Sequence, residues 1–582
     1  MKISKYFSSA VSVAAAFGVF GTTVSALYDP DKNGKTDEKD FKHLTDTLHG
    51  INSTSAEDDV NGDGKLNILD MIELKNALIE KEETGEVISR TFRAVDENVK
   101  LTGRTYDDSD VTWLVHSGSA AEFDLTASEA TVVLAGDSAI KAEERYRPRY
   151  AVYVDDKLIE DSLMDTPEKE IVLLKEKSQK TVRVKIIHLS EANNGAIGVK
   201  TIKTMSSSKS PIVPVPPKKL SIEFIGDSIT CAYGVEGKSS SDPFMTSTEN
   251  FMKSYAYLTA QKLDADYSAV SYSGHGIISG YSSGNEKETG SLVPDYYTDV
   301  AKLSDYAKPW DFKNHHNDVI VVNLGTNDDT YVRNDPETRL PEFEKGYIDF
   351  LKVIRENNPD AYIICTVGTM GCEEIYPAIE NAVMEFRESV DEKIMCYLSA
   401  VQNPANGYGA DWHPSAVTQQ MSAYVLADKI CGVLGMESDK IGLDAAEDGK
   451  YGIQINEEAG AGASDYLGYD KSYWVNMVCG GKEKSDVRAY ISGIPLTAGT
   501  YRLKFEIVAG KDTDIPVSVM NDGGSKEKYF ERTVSAGTEK VQFEETFVMK
   551  KADDKCMLTF DVGGMDYYNI TLSNVSLVKI SS

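Results

Sequence analysis

From Leu220 onward the chain alternates short apolar strands with amphipathic helices, and few architectures accept that order. Strand patterns stand at 221–225, 269–272, 319–324 and 362–367; helical periodicity runs over 251–263, 343–357, 375–390 and 416–434. Strand, helix, strand implies a parallel sheet covered on both faces. Ligands of such a sheet bind beyond the carboxyl ends of its strands. Residues 220–440 are therefore read as one α/β domain whose chemistry lies along that edge.

Polar residues cluster at those strand ends. The first strand runs into Gly226-Asp227-Ser228. A serine hydroxyl there is either a nucleophile awaiting a base or, with Asp227, the cap of the next helix. Ser271-Tyr272-Ser273-Gly274-His275 follows the second strand and Asn323-Leu324-Gly325-Thr326-Asn327-Asp328 the third. Acyl transfer builds negative charge on a carbonyl oxygen, so donors converging from separate loops are what it needs. The backbone N–H groups of Ser228 and Gly274 and the side-chain amide of Asn327 are the candidate oxyanion hole. Of the eight His residues, 43, 49, 116 and 188 lie in other modules, and 315 and 316 precede a strand at its opposite end. That leaves His275 and His413. His413 sits in Asp411-Trp412-His413-Pro414-Ser415, with Pro414 placed to open the last helix.

Ser228, Gly274, Asn327 and His413 match, in order, the four letters of the SGNH hydrolases, which this segment resembles. The resemblance implies a Ser228–His413 engine with Gly274 and Asn327 in the oxyanion hole, on a flavodoxin-like parallel sheet. The usual Asp-x-x-His is here Asp411-x-His413, so either Asp411 or a backbone carbonyl orients the imidazole. Residues 224–234 (FIGDSITCAYG), Trp310 with 323–328 (NLGTND), and 411–415 (DWHPS) resemble carbohydrate esterase family 2. That resemblance implies removal of O-acetyl groups from plant polysaccharides such as xylan and glucomannan, with no cofactor for catalysis. Aromatic residues hold sugars in that family; Trp412 and then Trp310 are the candidates. Two other functions compete: a lipase or other acyl-ester hydrolase of the same superfamily, and a non-catalytic carbohydrate-binding component.

Residues 90–204 hold short alternating runs separated by turn residues, the pattern of a β-sandwich, read as a jelly roll. Family 2 esterases carry such a domain ahead of the hydrolase. Residues 205–219 (MSSSKSPIVPVPPKK) break all periodicity and read as a stiff linker or a strap over the surface. Residues 445–582 return to strands and offer Tyr466, Tyr469, Tyr473, Trp474, Tyr567 and Tyr568; this β-sandwich loosely resembles carbohydrate-binding modules.

At the start, Lys2, Lys5, the apolar run 10–20 and Val24-Ser25-Ala26 read as a signal peptide over 1–26, so the mature protein is expected to be secreted. Two acidic loops follow, 30 residues apart. Asp29, Asp31, Asn33, Lys35 (through its carbonyl), Asp37 and Asp40 form the first; Asp59, Asn61, Asp63, Lys65 (through its carbonyl), Asn67 and Asp70 form the second. Oxygen ligands at loop positions 1, 3, 5, 7, 9 and 12, with Gly34 and Gly64 at the sharp turn, suit a structural Ca2+ in each. Residues 27–85 resemble a dockerin, which implies docking to a cohesin module of a cellulosomal scaffold. Positions 10 and 11, which read the cohesin in that family, are Glu38-Lys39 and Ile68-Leu69.

The 582 residues, about four units of ~150, fit this modular division. The net charge of −31 makes nucleic acid and anionic membranes poor partners. Seven scattered Cys without a CxxC pair form no disulfide framework or zinc site; buried free thiols are expected, with Cys365 and Cys372 the pair to examine for a bridge.

Overall fold

The computed structural model describes residues 86–581 except 109 and 524, the helix Glu38–Leu48, and residues 30, 58, 60, 66, 70 and 74. The signal segment lies outside the described residues, as do ten of the twelve acidic-loop positions. Asp40 and Asp70, the two described, are buried beside a small apolar cluster of Leu44 and Leu74.

In the first β domain the strand Ala120–Gly136 is the spine. One edge pairs with Glu168–His188; the other pairs in turn with Lys100–Thr102, Ile212–Pro214 and Ile197–Ser206. Register shifts near Ala127 and Ala130 bend the spine. The expected two-sheet sandwich is therefore one continuous antiparallel sheet of ten strands. The proline-rich stretch is a strap, because Ile212–Pro214 adds to the spine opposite Leu125, Asp124 and Phe123.

The α/β domain has five parallel strands: β1 Leu220–Gly226, β2 Ala265–Ser271, β3 Val319–Asn323, β4 Tyr362–Val367 and β5 Ile394–Leu398. Their order, β2-β1-β3-β4-β5, is the flavodoxin-like one, so the chain reverses direction across the sheet around β1. The helices are α1 Ser228–Cys231, α2 Tyr255–Lys262, α3 Thr326–Val332, α4 Pro336–Asn357, α5 Tyr376–Ser389 and α6 Ala416–Leu434. On one face, β1 residues Ile222 and Phe224 join α2, α6 and the C-terminal domain in a single apolar core. On the other, Ile225, Val322 and Ile363 pack under α4 and α5.

The C-terminal domain is a pair of five-stranded antiparallel sheets. It is tied to α6 by Lys579, whose Nζ lies 2.9 Å from the buried Asp428 Oδ2. All seven cysteines are free thiols, Cys365 and Cys372 included. Among the described residues no helix is long and apolar enough to cross a membrane.

The first β domain is joined to the sheet edge-on. Arg104 Nε and Nη2 lie 3.1 and 2.9 Å from Glu223 Oε1 on β1, both side chains being inaccessible to solvent. Arg104 Nη1 donates to the carbonyls of Tyr297 and Asp299, and Tyr297 Oη donates to Glu223 Oε2 at 2.9 Å. Gly118, at φ +79°, lies under the Phe251 ring, where a Cβ would fall 2.2 Å from its carbons. We predict that Arg104→Ala, which strands a buried carboxylate, destabilises this unit by about 3–5 kcal/mol. Arg104→Met combined with Glu223→Met should restore most of that loss, both read from urea unfolding midpoints.

Candidate active site

Ser228 opens α1 immediately after β1, with Asp227 as the cap: Asp227 Oδ1 accepts from Ile229 N at 3.0 Å. Capping and nucleophile roles thus fall to different residues. α1 is a single turn, stopped by Ala232 in the left-handed region (φ 61°). His413 Nε2 lies 2.9 Å from Ser228 Oγ, within reach for proton transfer, and both residues are nearly buried at the crevice floor.

The other imidazole nitrogen settles what orients the ring. His413 Nδ1 lies 3.0 Å from the backbone carbonyl oxygen of Asp411. The Asp411 carboxylate instead faces the Tyr233 hydroxyl, which donates to Oδ2 at 3.5 Å. Asp411 thus meets the ring with its main-chain carbonyl, while its carboxylate acts on the imidazole only through space. Two successive left-handed residues, Asp411 (φ 49°, ψ 44°) and Trp412 (φ 63°), fold the chain back so that this carbonyl meets Nδ1. A bulky residue there is costly. Gln402 holds the turn by donating Nε2 to the Trp412 carbonyl at 2.8 Å. Tyr233 covers the imidazole face, centroid to centroid 4.1 Å, and stacks in turn on Phe244 at 4.3 Å. Pro414 stands outside α6; Ser415 is the cap, its Oγ accepting from Thr418 N.

Gly274 follows β2 in the left-handed region (φ +80°), with open space where a side chain would project. Asn327, in the first turn of α3, donates Nδ2 to the His275 carbonyl at 2.8 Å and, more weakly, to Asp227 Oδ2 at 3.4 Å. Asp328 holds the intervening loop, accepting from the N–H groups of Ile277, Ile278 and Ser279 at 2.7–3.0 Å. Burial pushes Asp227 up to about 7 and Asp328 up to about 6.

His275 is occupied elsewhere. Its Nδ1 is 2.8 Å from Tyr296 Oη and its Nε2 faces Lys302 Nζ; burial pushes it down to about 3. Trp412 is 59% exposed beside the dyad. Trp310 does not line this crevice. It sits at the opposite edge of the sheet with Ser221 and His315, covering Arg104. The bridge between Asp299 and Pro309 turns the chain back to that edge. A cavity of about 390 Å³ between the α/β and C-terminal domains, lined by Tyr397, Gln402, Met421 and Thr497, contains neither Ser228 nor His413.

Burial lowers the His413 pKa below its ordinary 6.5, and the Asp411 carbonyl and the nearby charge of its carboxylate oppose this only in part. The neutral imidazole is the base, so kcat/KM should fall with acid only below the pH where an ordinary histidine protonates. Asp411→Asn keeps the carbonyl and a residue type that tolerates left-handed backbone. It should retain activity within about tenfold, where the same change in a carboxylate-based triad costs about 10⁴-fold.

Residues 222–424 match the family model described as GDSL-like Lipase/Acylhydrolase. A cellulase/esterase (CelE) of Acetivibrio thermocellus is 36% identical over 223 residues, 38% of this chain but 26% of that protein's length. An acetylxylan esterase / glucomannan deacetylase of Cellvibrio japonicus is 26% identical over 332 residues, 56% of this chain and 86% of that protein. A family two carbohydrate esterase from Clostridium thermocellum, solved with cellohexaose, is 29% identical, covers 58% of this chain and 99% of that one, and superposes with a TM-score of 0.51. An acetyl xylan esterase from Butyrivibrio proteoclasticus shares the fold at 24% identity and a TM-score of 0.53. The α/β segment that carries Ser228 and His413 is thus similar to GDSL-like lipases/acylhydrolases and to acetylxylan esterases, and the chain spans about a quarter of the length of the first of the relatives named above.

Proposed function

We propose that the chain is a secreted carbohydrate esterase that removes O-acetyl groups from plant polysaccharides such as xylan and glucomannan. The observation that carries this reading is the 2.9 Å contact between Ser228 Oγ and His413 Nε2 at the carboxyl edge of a parallel sheet. His413 takes the Ser228 proton as Oγ attacks the acetyl carbonyl. The oxyanion is received by the N–H groups of Ser228 and Gly274 and by Asn327. His413 then protonates the leaving sugar oxygen, and water releases acetate by the reverse path. Trp412, projecting beside the dyad, offers a flat face to the sugar ring that carries the ester.

The C-terminal domain supplies a second sugar contact in this reading. Strand alternation buries Tyr473 and Tyr568 and turns Trp474 and Tyr466 outward as direct cross-strand partners. Asn476 and Asn569 pair two positions along, and exposed Tyr567 lies beyond them. The Trp474 ring beside the Asn476 and Asn569 amides would offer a flat face to a sugar ring and partners for its hydroxyls.

At the N-terminus we propose a calcium-loaded docking module that recruits the enzyme to a cohesin. Buried Asp40 and Asp70, one from each loop's twelfth position, fit a hard cation's oxygen ligand set. Calcium would be held by the two sets of loop residues and supply structural order only.

Acetylated xylan or glucomannan should yield acetate with the full chain, and Ser228→Ala or His413→Ala should lower the rate at least 10³-fold. Release from long-chain esters in preference to acetyl esters would overturn the substrate assignment. Trp412→Ala should raise KM for polysaccharide without changing KM for a small aryl acetate. Trp474→Ala should weaken retention on insoluble xylan while leaving aryl acetate turnover intact.

A further inference from the structure

Glu191 belongs to the first β domain, yet its side chain ends inside the α/β domain's active edge. It lies just before the turn Ala192–Asn194 and is almost completely buried. A single oxygen, Oε2, accepts from three donors: Ser273 N at 2.7 Å, Asn193 Nδ2 at 3.2 Å and Cys231 Sγ at 3.8 Å. Ser273 is the residue before Gly274, and Cys231 closes the α1 turn that begins with Ser228. The carboxylate therefore touches both segments that deliver N–H groups to the reacting carbonyl.

The peptide joining Ser273 to Gly274 is held through the peptide units on either side of it. Glu191 fixes the Ser273 N–H, and the Gly274 carbonyl accepts from Tyr281 N at 2.8 Å. Asn193 Nδ2 also reaches the Ser273 carbonyl at 3.5 Å. Gly274 sits in the left-handed region, and nothing lies within 4 Å of the point where a Cβ would stand, so packing does not hold it. Glu249 steadies Glu191 in turn, Oε2 accepting from Glu191 N at 3.1 Å. Burial, then the charge of Glu191, pushes Glu249 well above the carboxylate range, so the pair avoids two adjacent buried charges.

We infer that Glu191 is a positioning residue for ester hydrolysis: supplied by the first β domain, it sets the direction of the Gly274 N–H in the oxyanion hole. The inference rests on the esterase reading above. A donor aimed only by flexible glycine backbone must otherwise be oriented at each turnover, and preorganised donors are where much of the catalytic stabilisation lies.

The experiment compares wild type with Glu191→Ala, Glu191→Gln and Asn193→Ala on a small aryl acetate. Rates are taken per active site counted by fluorophosphonate labelling, so partial misfolding drops out. Affinity for a phenylboronic acid, which forms a tetrahedral adduct on a serine, is measured in parallel. Glu191→Ala misaims rather than removes a donor, so it should lower kcat about 10- to 100-fold, at or below the cost of losing one oxyanion donor outright, leave KM within about threefold, and weaken boronate binding in proportion. Glu191→Gln keeps an acceptor for Ser273 N and should recover most of the rate. Asn193→Ala, at a surface position, should give a smaller fall of the same kind, and it carries the test if Glu191→Ala does not fold. Unchanged kcat per site and unchanged boronate affinity in the variants, with an active wild type, would overturn the positioning role alone. A wild type that neither cleaves aryl acetate nor binds boronate would overturn the esterase reading itself.

Discussion

A guanidinium and a carboxylate buried together fix how the molecule is put together. Removing both Arg104 and Glu223 from water is unfavourable, and the pair persists only where every donor and acceptor is met. Here they are: two guanidinium nitrogens on Glu223, a third on two carbonyls, and the Tyr297 hydroxyl on the remaining oxygen. Tyr297 and Phe312 also face the guanidinium, 4.8 and 5.0 Å from their ring centres. Such a network tolerates one docking geometry. Glu223 lies on β1 five residues before Ser228, so the first β domain is registered against the strand that delivers the nucleophile. That registration lets the 191–195 turn reach the loop after β2. The two domains are thus packed as one body along the edge that carries Ser228.

The dyad strikes a different balance. A carboxylate behind the imidazole would stabilise the imidazolium formed in attack; a carbonyl does so less, through a dipole rather than a charge. At the same time the ring sits in a region where burial keeps it neutral and able to accept a proton at lower pH. Local anions are restrained as well. Asp227 and Asp328 both lie within the site's wall, and burial raises both. Asp328 turns its oxygens to three backbone N–H groups rather than to substrate. In the proposed mechanism the charge developing at the carbonyl would meet donors rather than these carboxylates. The strain of two left-handed residues at 411 and 412 both aims the Asp411 carbonyl and drives the Trp412 ring outward.

How much of this is legible in the sequence follows from what strand geometry fixes. Ser228, Gly274 and Asn327 are readable because each follows an apolar strand, and parallel strands put such residues on one edge. The fifth strand, Ile394–Leu398, is not readable; it is an edge strand, and Met395 to Leu398 are all at least partly exposed. Sequence leaves the ring-orienting group open between Asp411 and a carbonyl, since a backbone oxygen leaves no letter in a sequence. Trp310 is misplaced by its letters because the 298–310 segment doubles back to the far edge through a non-local bridge. Glu191 escapes sequence reasoning altogether: it sits in another domain, in no motif, and gains meaning only from the docking that Arg104 enforces. The ten-stranded sheet reads as a sandwich because alternation reports which side chains face inward, not which strands share hydrogen bonds.

The C-terminal domain makes physical sense in the same terms. If the substrate is an acetylated polysaccharide, as proposed, one exposed aromatic beside Ser228 and His413 would grip a single sugar weakly, and a polymer would present such sugars at intervals along an insoluble surface. Under the proposed function a second sugar face would change this: with the polymer held at Trp474 and its neighbours, Ser228 and His413 would meet nearby esters at an effective concentration set by geometry rather than by diffusion. Rigidity is what the interface provides. The buried Lys579–Asp428 pair and the apolar core shared between Phe224, Ile430 and Leu577 leave little play between the aromatic face and α6, the helix that follows His413. In that reading binding and chemistry would be held at a fixed separation, and sugar-face contacts would favour those acetyl groups that lie at the matching distance along the polymer.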